Sequence, residues 1–151
     1  MERCPCCKAR LAGATVCPRC QADLASVLAC AQMAQQWLVN AIQFWHAREL
    51  KMAILALSKS LYLKQTPLAL AFREHIIREQ CQYVLGLLQK KEYAVARESL
   101  LLLGDLNPHH KLLKQLSRFS KYLSVKDMIE LSTQQANRTQ PKSIINEHKA
   151  G

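Results

Sequence analysis

From Asp23 onward the apolar residues fall three and four apart. Leu24, Val27, Ala31, Ala34, Leu38, Ala41 and Trp45 make one stripe, and this spacing predicts an amphipathic helix with Asp23 or Ser26 as its cap. A second stripe follows in Leu50, Ala53, Ile54, Leu57 and Leu61 and ends near Gln65. Thr66-Pro67 is a capping residue followed by proline at the first helical position, and it opens a third helix through Leu70, Ile77, Cys81, Val84 and Leu88. Tyr93 to Leu103 predicts a fourth helix closed by Gly104 and Asp105, and Asn107-Pro108 opens a fifth over residues 108–123. A shorter helix from Val125 to about Gln135 completes the helical part, and 137–151 reads as a polar tail.

Residues 1–22 have no such period, and so short a stretch cannot bury a core unaided. Instead they hold two C-x-x-C pairs, Cys4/Cys7 and Cys17/Cys20, with nine residues between the pairs. A proline follows the first cysteine of each pair, Cys4-Pro5-Cys6-Cys7 and Cys17-Pro18-Arg19-Cys20, and stiffens the turn that aims both sulfurs at one point. Four thiolates are the set that structural zinc takes, and a site filled by four protein ligands leaves no position for water or substrate. Iron would accept the same cage. The expected organisation is therefore a metal-organised segment over 1–22, a helical domain over 23–136 and a tail over 137–151. The fold class is mainly α: a small N-terminal zinc ribbon followed by antiparallel helical hairpins.

Cys4 to Leu24 resembles the short zinc ribbons at the N-termini of many prokaryotic proteins, in which a CPxCG-like knuckle, a turn and a second CPxC knuckle recur. Lys8 and Gln21 stand where glycine usually follows each pair, and Cys6 adds a fifth thiol. That thiol could substitute for a neighbouring ligand or act as a redox-sensitive group, although a spectator is the simpler reading. Farther on, Trp37, Ala41, Phe44, Ala53, Leu57 and Ser60 have the large-small alternation of a tetratricopeptide repeat, and Tyr93, Ala96, Leu100 and Pro108 match the second half of another. This resemblance covers residues 33–108 and is degenerate, because Ala53 and Ala96 lie farther apart than the usual period of about 34 residues. It implies a concave groove lined by Gln35, Leu38, Ile42 and Trp45 and by Arg78, Cys81, Leu85 and Leu88, apolar enough for a partner's amphipathic helix. Leu38, Ile42, Trp45, Leu85 and Leu88 are the candidate partner-binding residues, with core packing the competing reading.

Charge alters the picture at one end. The formal net charge is +10, and half of the excess lies in residues 109–151. Four zinc-bound thiolates and one divalent ion would lower the total to about +8. On the fifth helix Lys111, Lys114, Arg118 and Lys121 share a face, while Leu112, Leu116, Phe119 and Leu123 are expected on the opposite one. Such a row suits phosphates or carboxylates, but no aromatic residue is interleaved for base stacking. The alternative reading is a solvated face.

The rest of the composition narrows the class. Low glycine and proline content fits a helical protein. Paired rather than scattered cysteines, a polar start from Met1 to Arg10 and the lack of a long apolar run suggest a soluble, cytoplasmic protein in a reducing compartment. No catalytic set, phosphate loop or nucleophile elbow is recognisable, so an enzyme is not expected. The sequence reads best as a zinc-binding adaptor that holds a protein partner in a helical groove. A nucleic-acid- or ribosome-associated factor, contacting phosphates through the ribbon and the basic helix, is the alternative. Association of the chain with itself through the groove would look the same in sequence.

Overall fold

The periodic stripes become five helices, α1 Ala25–His46, α2 Leu50–Leu63, α3 Pro67–Gln89, α4 Tyr93–Leu106 and α5 Lys111–Arg138, in a computed structural model that describes residues 2–138. Among the described residues there is no strand, only two isolated bridges near the cysteines. No helix there is long and apolar enough to cross a membrane.

Of the expected caps only that of α3 forms: the N-cap of α1 is Leu24, without a side-chain cap bond, and Asp23 stands one residue before it. Asp23 accepts a hydrogen bond from the Ala25 N–H at 2.9 Å, and the Thr66 hydroxyl accepts from the Ala69 N–H at 3.2 Å with Pro67 as the first helical residue. The ends depart from the sequence reading. α4 does not stop at Gly104 but runs to Leu106, because Leu103 and Leu106 both reach the core and hold the last turn helical. Pro108 lies in the following turn, where the His110 N–H bonds the Asn107 carbonyl at 3.2 Å, and α5 begins at Lys111. The expected break before Val125 is absent. α5 continues without interruption to Arg138, and within it the Ser124 hydroxyl donates to the Lys121 carbonyl at 2.9 Å. Residues 137 and 138, expected in the tail, are helical, and 139–151 lie outside the described residues.

α1 and α2 form the closest pair. Ala34, Ala41, Ala53, Ala56 and Ser60 are all buried and small enough to let the two backbones approach, and the Ser60 hydroxyl donates to the Ala34 carbonyl at 2.7 Å. α3 and α4 form a second hairpin, and α5 packs along α4 and α3. One core joins all five helices through Leu57, Ile76, Ile77, Val84, Leu100 and Leu103, with Leu113 and Leu116 supplied by α5.

The two hairpins close with the same turn. Arg48 and Lys91 both adopt a left-handed backbone, φ 63° and 62°. The next residue in each case, Glu49 or Glu92, sends its N–H back to Phe44 or Leu87 at 2.9 and 3.0 Å, while Arg48 and Lys91 bond the Trp45 and Leu88 carbonyls at 3.1 Å. This paired bonding is the Schellman helix stop. One offset relates Arg48 to Lys91, Glu49 to Glu92, Leu50 to Tyr93 and the buried pair Ala53 and Ala96, so the two turns and the first turn of the helix after each share one local design.

The buried face of α5 is turned from the expected phase. Leu113, Leu116 and Ser120 are buried and Leu123 is half-buried, whereas Leu112 and Phe119 are exposed. Ser120 takes a buried position although it is polar, and a pattern based on hydrophobicity selects Phe119 instead.

Candidate metal centre

The two cysteine pairs build two copies of one knuckle. In the first, the Lys8 N–H returns to the Cys4 carbonyl at 2.9 Å and the Cys4 N–H bonds the Ala9 carbonyl at 2.9 Å. In the second, Gln21 returns to Cys17 at 2.9 Å and Cys17 bonds Ala22 at 3.0 Å. Each loop is flanked by one antiparallel bridge, Arg3 with Arg10 and Val16 with Asp23. Lys8 and Gln21 take φ 59° and 56°, the left-handed region in which glycine is strain-free. Both knuckles thus form without the usual glycine, at a cost of about 1–2 kcal/mol each.

The loops bring four sulfurs together. Cys4 Sγ lies 3.7 Å from Cys20 Sγ, Cys7 Sγ lies 3.5 Å from Cys17 Sγ, and all four fall within 4.8 Å of one another. A tetrahedron with metal–sulfur bonds of about 2.3 Å has sulfur–sulfur edges of about 3.8 Å, so the donor set fits one tetrahedral thiolate-bound ion. Cys4 and Cys17 are buried, together with Leu11 and Leu24, and Cys7, Ala9, Ala22 and Leu28 pack around them. Leu24 and Leu28 bind this small core to the first turn of α1, so the structural joint between ribbon and helices lies at Leu24, just past the expected boundary at residue 22.

Backbone dipoles prepare the sulfurs for negative charge. The N–H of Cys7, and after it that of Cys6, lowers the Cys4 thiol below its ordinary range. The N–H groups of Cys20 and Arg19 lower Cys17 to about 6 against the opposing effect of burial. At Cys20 the Ala22 N–H also favours the thiolate, but the Cys17 and Cys7 side chains and burial outweigh it and push the group up to about 12. Four sulfurs this close cannot all ionise without a cation, and a divalent ion removes that conflict. When bound, such an ion supplies cross-links between the two loops.

Cys6 is exposed and outside the four-sulfur cluster. The negative charge of Cys4, foremost, raises its pKa, which keeps it a thiol and a weak nucleophile.

The structure separates the candidate partner-binding residues. Leu38 and Leu88 are in the core, as is Cys81. Ile42 and Trp45 are half-buried against it, Trp45 meeting Phe72 and His75 edge-on at ring-centroid distances of 6.5 and 5.9 Å. Of the five, Leu85 alone is exposed, at 43%. Four of the five are thus taken up wholly or partly by core packing. Lys111, Lys114, Arg118 and Lys121 are all exposed and make no ion pair among the described residues.

A different surface is open on the first hairpin. Met33, Trp37, Ser58, Lys59, Tyr62 and Leu63 line a shallow cavity of about 560 Å³. The Lys59 ammonium sits 4.3 Å above the Trp37 ring, and Tyr62 is 91% exposed. Tyr62 falls off the apolar stripe of α2, which was the sequence signal that it points outward, whereas Trp37 was absorbed into the repeat pattern.

Compared with protein-family models, with curated proteins and with solved structures, the chain shows no match.

Proposed function

We propose that this protein is a zinc-structured interaction adaptor, with a Cys4 ribbon as its rigid N-terminal end and two tetratricopeptide-like hairpins as the platform for a protein partner. The observation that carries the reading is the open aromatic surface of the first hairpin. Trp37, Tyr62 and Met33 are residue types that dominate binding energy at interfaces, they are gathered round one cavity, and the cation over Trp37 adds a polar anchor. The closed ligand set supports a structural rather than catalytic metal, and the chain is read as a non-enzyme. Zinc is preferred because four thiolates in tetrahedral array satisfy it without redox chemistry, with iron the competing occupant.

The test is affinity purification of the intact protein with and without nuclease, repeated with Tyr62→Ala and with Met33→Ala. A nuclease-resistant partner that is lost in the Tyr62 variant is expected. A partner that survives both substitutions would remove the first hairpin from the proposal. A second reading rests on the unpaired row Lys111, Lys114, Arg118 and Lys121: contact with nucleic-acid phosphates. It predicts partners that disappear with nuclease and with rising salt.

A further inference from the structure

The cavity on the first hairpin lies in a stretch of chain that is almost free of acids. Met33 and Trp37 of α1 line it together with Ser58, Lys59, Tyr62 and Leu63 of α2. Residues 24–48 and 50–73 hold no aspartate or glutamate, while Lys59 stands at the cavity and Lys64 follows its last lining residue. The nearest acids along α1 and α2, Asp23 and Glu49, lie about 13–15 Å away at 1.5 Å per residue, past the screening length of about 8 Å at physiological salt. Other cations of these segments are engaged, Lys51 with Glu98 at 3.2 Å and Arg73 with Glu74 at 3.1 Å. Lys59 and Lys64 make no ion pair among the described residues.

That unpaired cation decides what the cavity accepts. The Lys59 ammonium sits over the Trp37 ring, so any apolar side chain seated against Trp37 and Met33 displaces water from the ammonium as well. Burying an ammonium without a counter-charge costs more than one buried apolar side chain returns. The occupant that covers this surface at least cost therefore brings its own anion and places it on Lys59. The rest of the lining says which kind of anion. Met33 and Leu63 are aliphatic and the Trp37 ring already carries Lys59, which leaves Tyr62 as the one open ring of the cavity. A single ring is a poor platform for successive stacked bases, whereas an apolar lining beside a cation suits a peptide that pairs a bulky side chain with a carboxylate.

We infer that the first hairpin recognises an acidic peptide segment of its partner, with a bulky apolar side chain in the cavity and an aspartate or glutamate beside it on Lys59. The inference rests on the adaptor reading of this surface and names the chemistry of the partner. If the segment is helical, the two side chains stand three or four residues apart, on one face. Lys64, next to Leu63, adds attraction for further acids and speeds encounter. The basic row of α5 has no part in the contact.

The test is selection of random peptides displayed on phage against the intact metal-loaded protein, followed by fluorescence polarisation with the labelled peptides that emerge. Peptides that join a large apolar residue to nearby aspartate or glutamate are expected. Tyr62→Ala and Lys59→Glu should each weaken them at least roughly tenfold. Lys111→Glu with Lys114→Glu changes the net charge by more than Lys59→Glu does and should leave the affinity unchanged, which separates local pairing from the general attraction of a basic protein. All four positions are exposed, and circular dichroism checks that the variants stay helical. An empty selection, or peptides that bind Tyr62→Ala as well as the wild type, would overturn the adaptor reading of this surface and the inference with it. Peptides lost in Tyr62→Ala but lacking acids, or indifferent to Lys59→Glu, would overturn the acidic chemistry alone. A single-stranded oligonucleotide that displaces the peptides and is itself weakened by Tyr62→Ala would overturn it in favour of nucleic acid.

Discussion

The cysteine segment uses one knuckle twice and the helical hairpins use one closing turn twice, yet the two regions have different interiors. In the ribbon the repeated unit is a knuckle whose interior is two sulfurs, and its apolar core amounts to Leu11 and Leu24 with small neighbours. In the hairpins the repeated unit is the closing turn, and the interior they share is alanine, leucine and isoleucine. Both close their loops on a non-glycine residue in the left-handed region, Lys8 and Gln21 in one, Arg48 and Lys91 in the other. The same backbone strain would thus be offset by an ion held on the four sulfurs in one region and by buried apolar area in the other. It follows that the two regions should fail independently.

The largest effect should come from the metal. Chelation, or Cys17→Ser, is expected to release the ion and unfold residues 2–24, because structural zinc supplies on the order of 10–16 kcal/mol of apparent binding free energy. Metal content by mass spectrometry should fall together with the ribbon amide signals in NMR, while the far-ultraviolet helical signal is retained. Loss of helix along with the metal would show that the regions are one cooperative unit. Next, Leu57→Ala should cost about 2–5 kcal/mol in chemical denaturation and leave metal content intact, since it opens a cavity in the core the helices share.

A smaller effect concerns the tie between α4 and α5. The Tyr93 hydroxyl, then Lys91, holds the Asp127 carboxyl below its ordinary value of 3.8. A depressed carboxylate contributes stability that is present above the unfolded pKa and is lost as pH falls through the folded one. Asp127 also raises Lys91 above its ordinary 10.5, and that contribution is present below 10.5 and lost as pH rises through the folded value. The tie should accordingly hold through neutral pH and weaken only below about 3.8 or above about 10.5. Hydrogen exchange near residue 127 should accelerate in Asp127→Asn at pH 7 and approach the wild-type rate in strong acid. The smallest expected change is a gain: Arg48→Gly should stabilise the helical part by roughly 1 kcal/mol by relieving its left-handed backbone, with no effect on the ribbon. A loss instead would mean that the arginine side chain contributes more than the strain costs.

Local chemistry was the most legible part of the chain. The cysteine spacing identified the four sulfurs that converge, because each C-x-x-C knuckle is a local turn, and Thr66-Pro67 located the start of α3, because the cap and the N–H it accepts from are three residues apart. What depends on tertiary contact was harder to read. Gly104 looks like a stop, but Leu106 two residues farther is buried in the core, so the helix runs through it. The phase of α5 is hard to read because Ser120, a polar residue, occupies a buried position. Leu38 and Leu88 have the spacing of groove residues, and nothing in a single chain's pattern says whether the space opposite them is open or filled by another helix.

One asymmetry within the metal centre bears on its kinetics. Cys4 and Cys17 are buried and Cys7 is half-covered, but Cys20 is exposed. A competing ligand in solution, whether a small chelator or another protein's thiol, meets the Cys20 side first. Ligand exchange should begin there, so the lifetime of the loaded ribbon is governed by one sulfur at its rim, whatever the thermodynamic affinity of the four together.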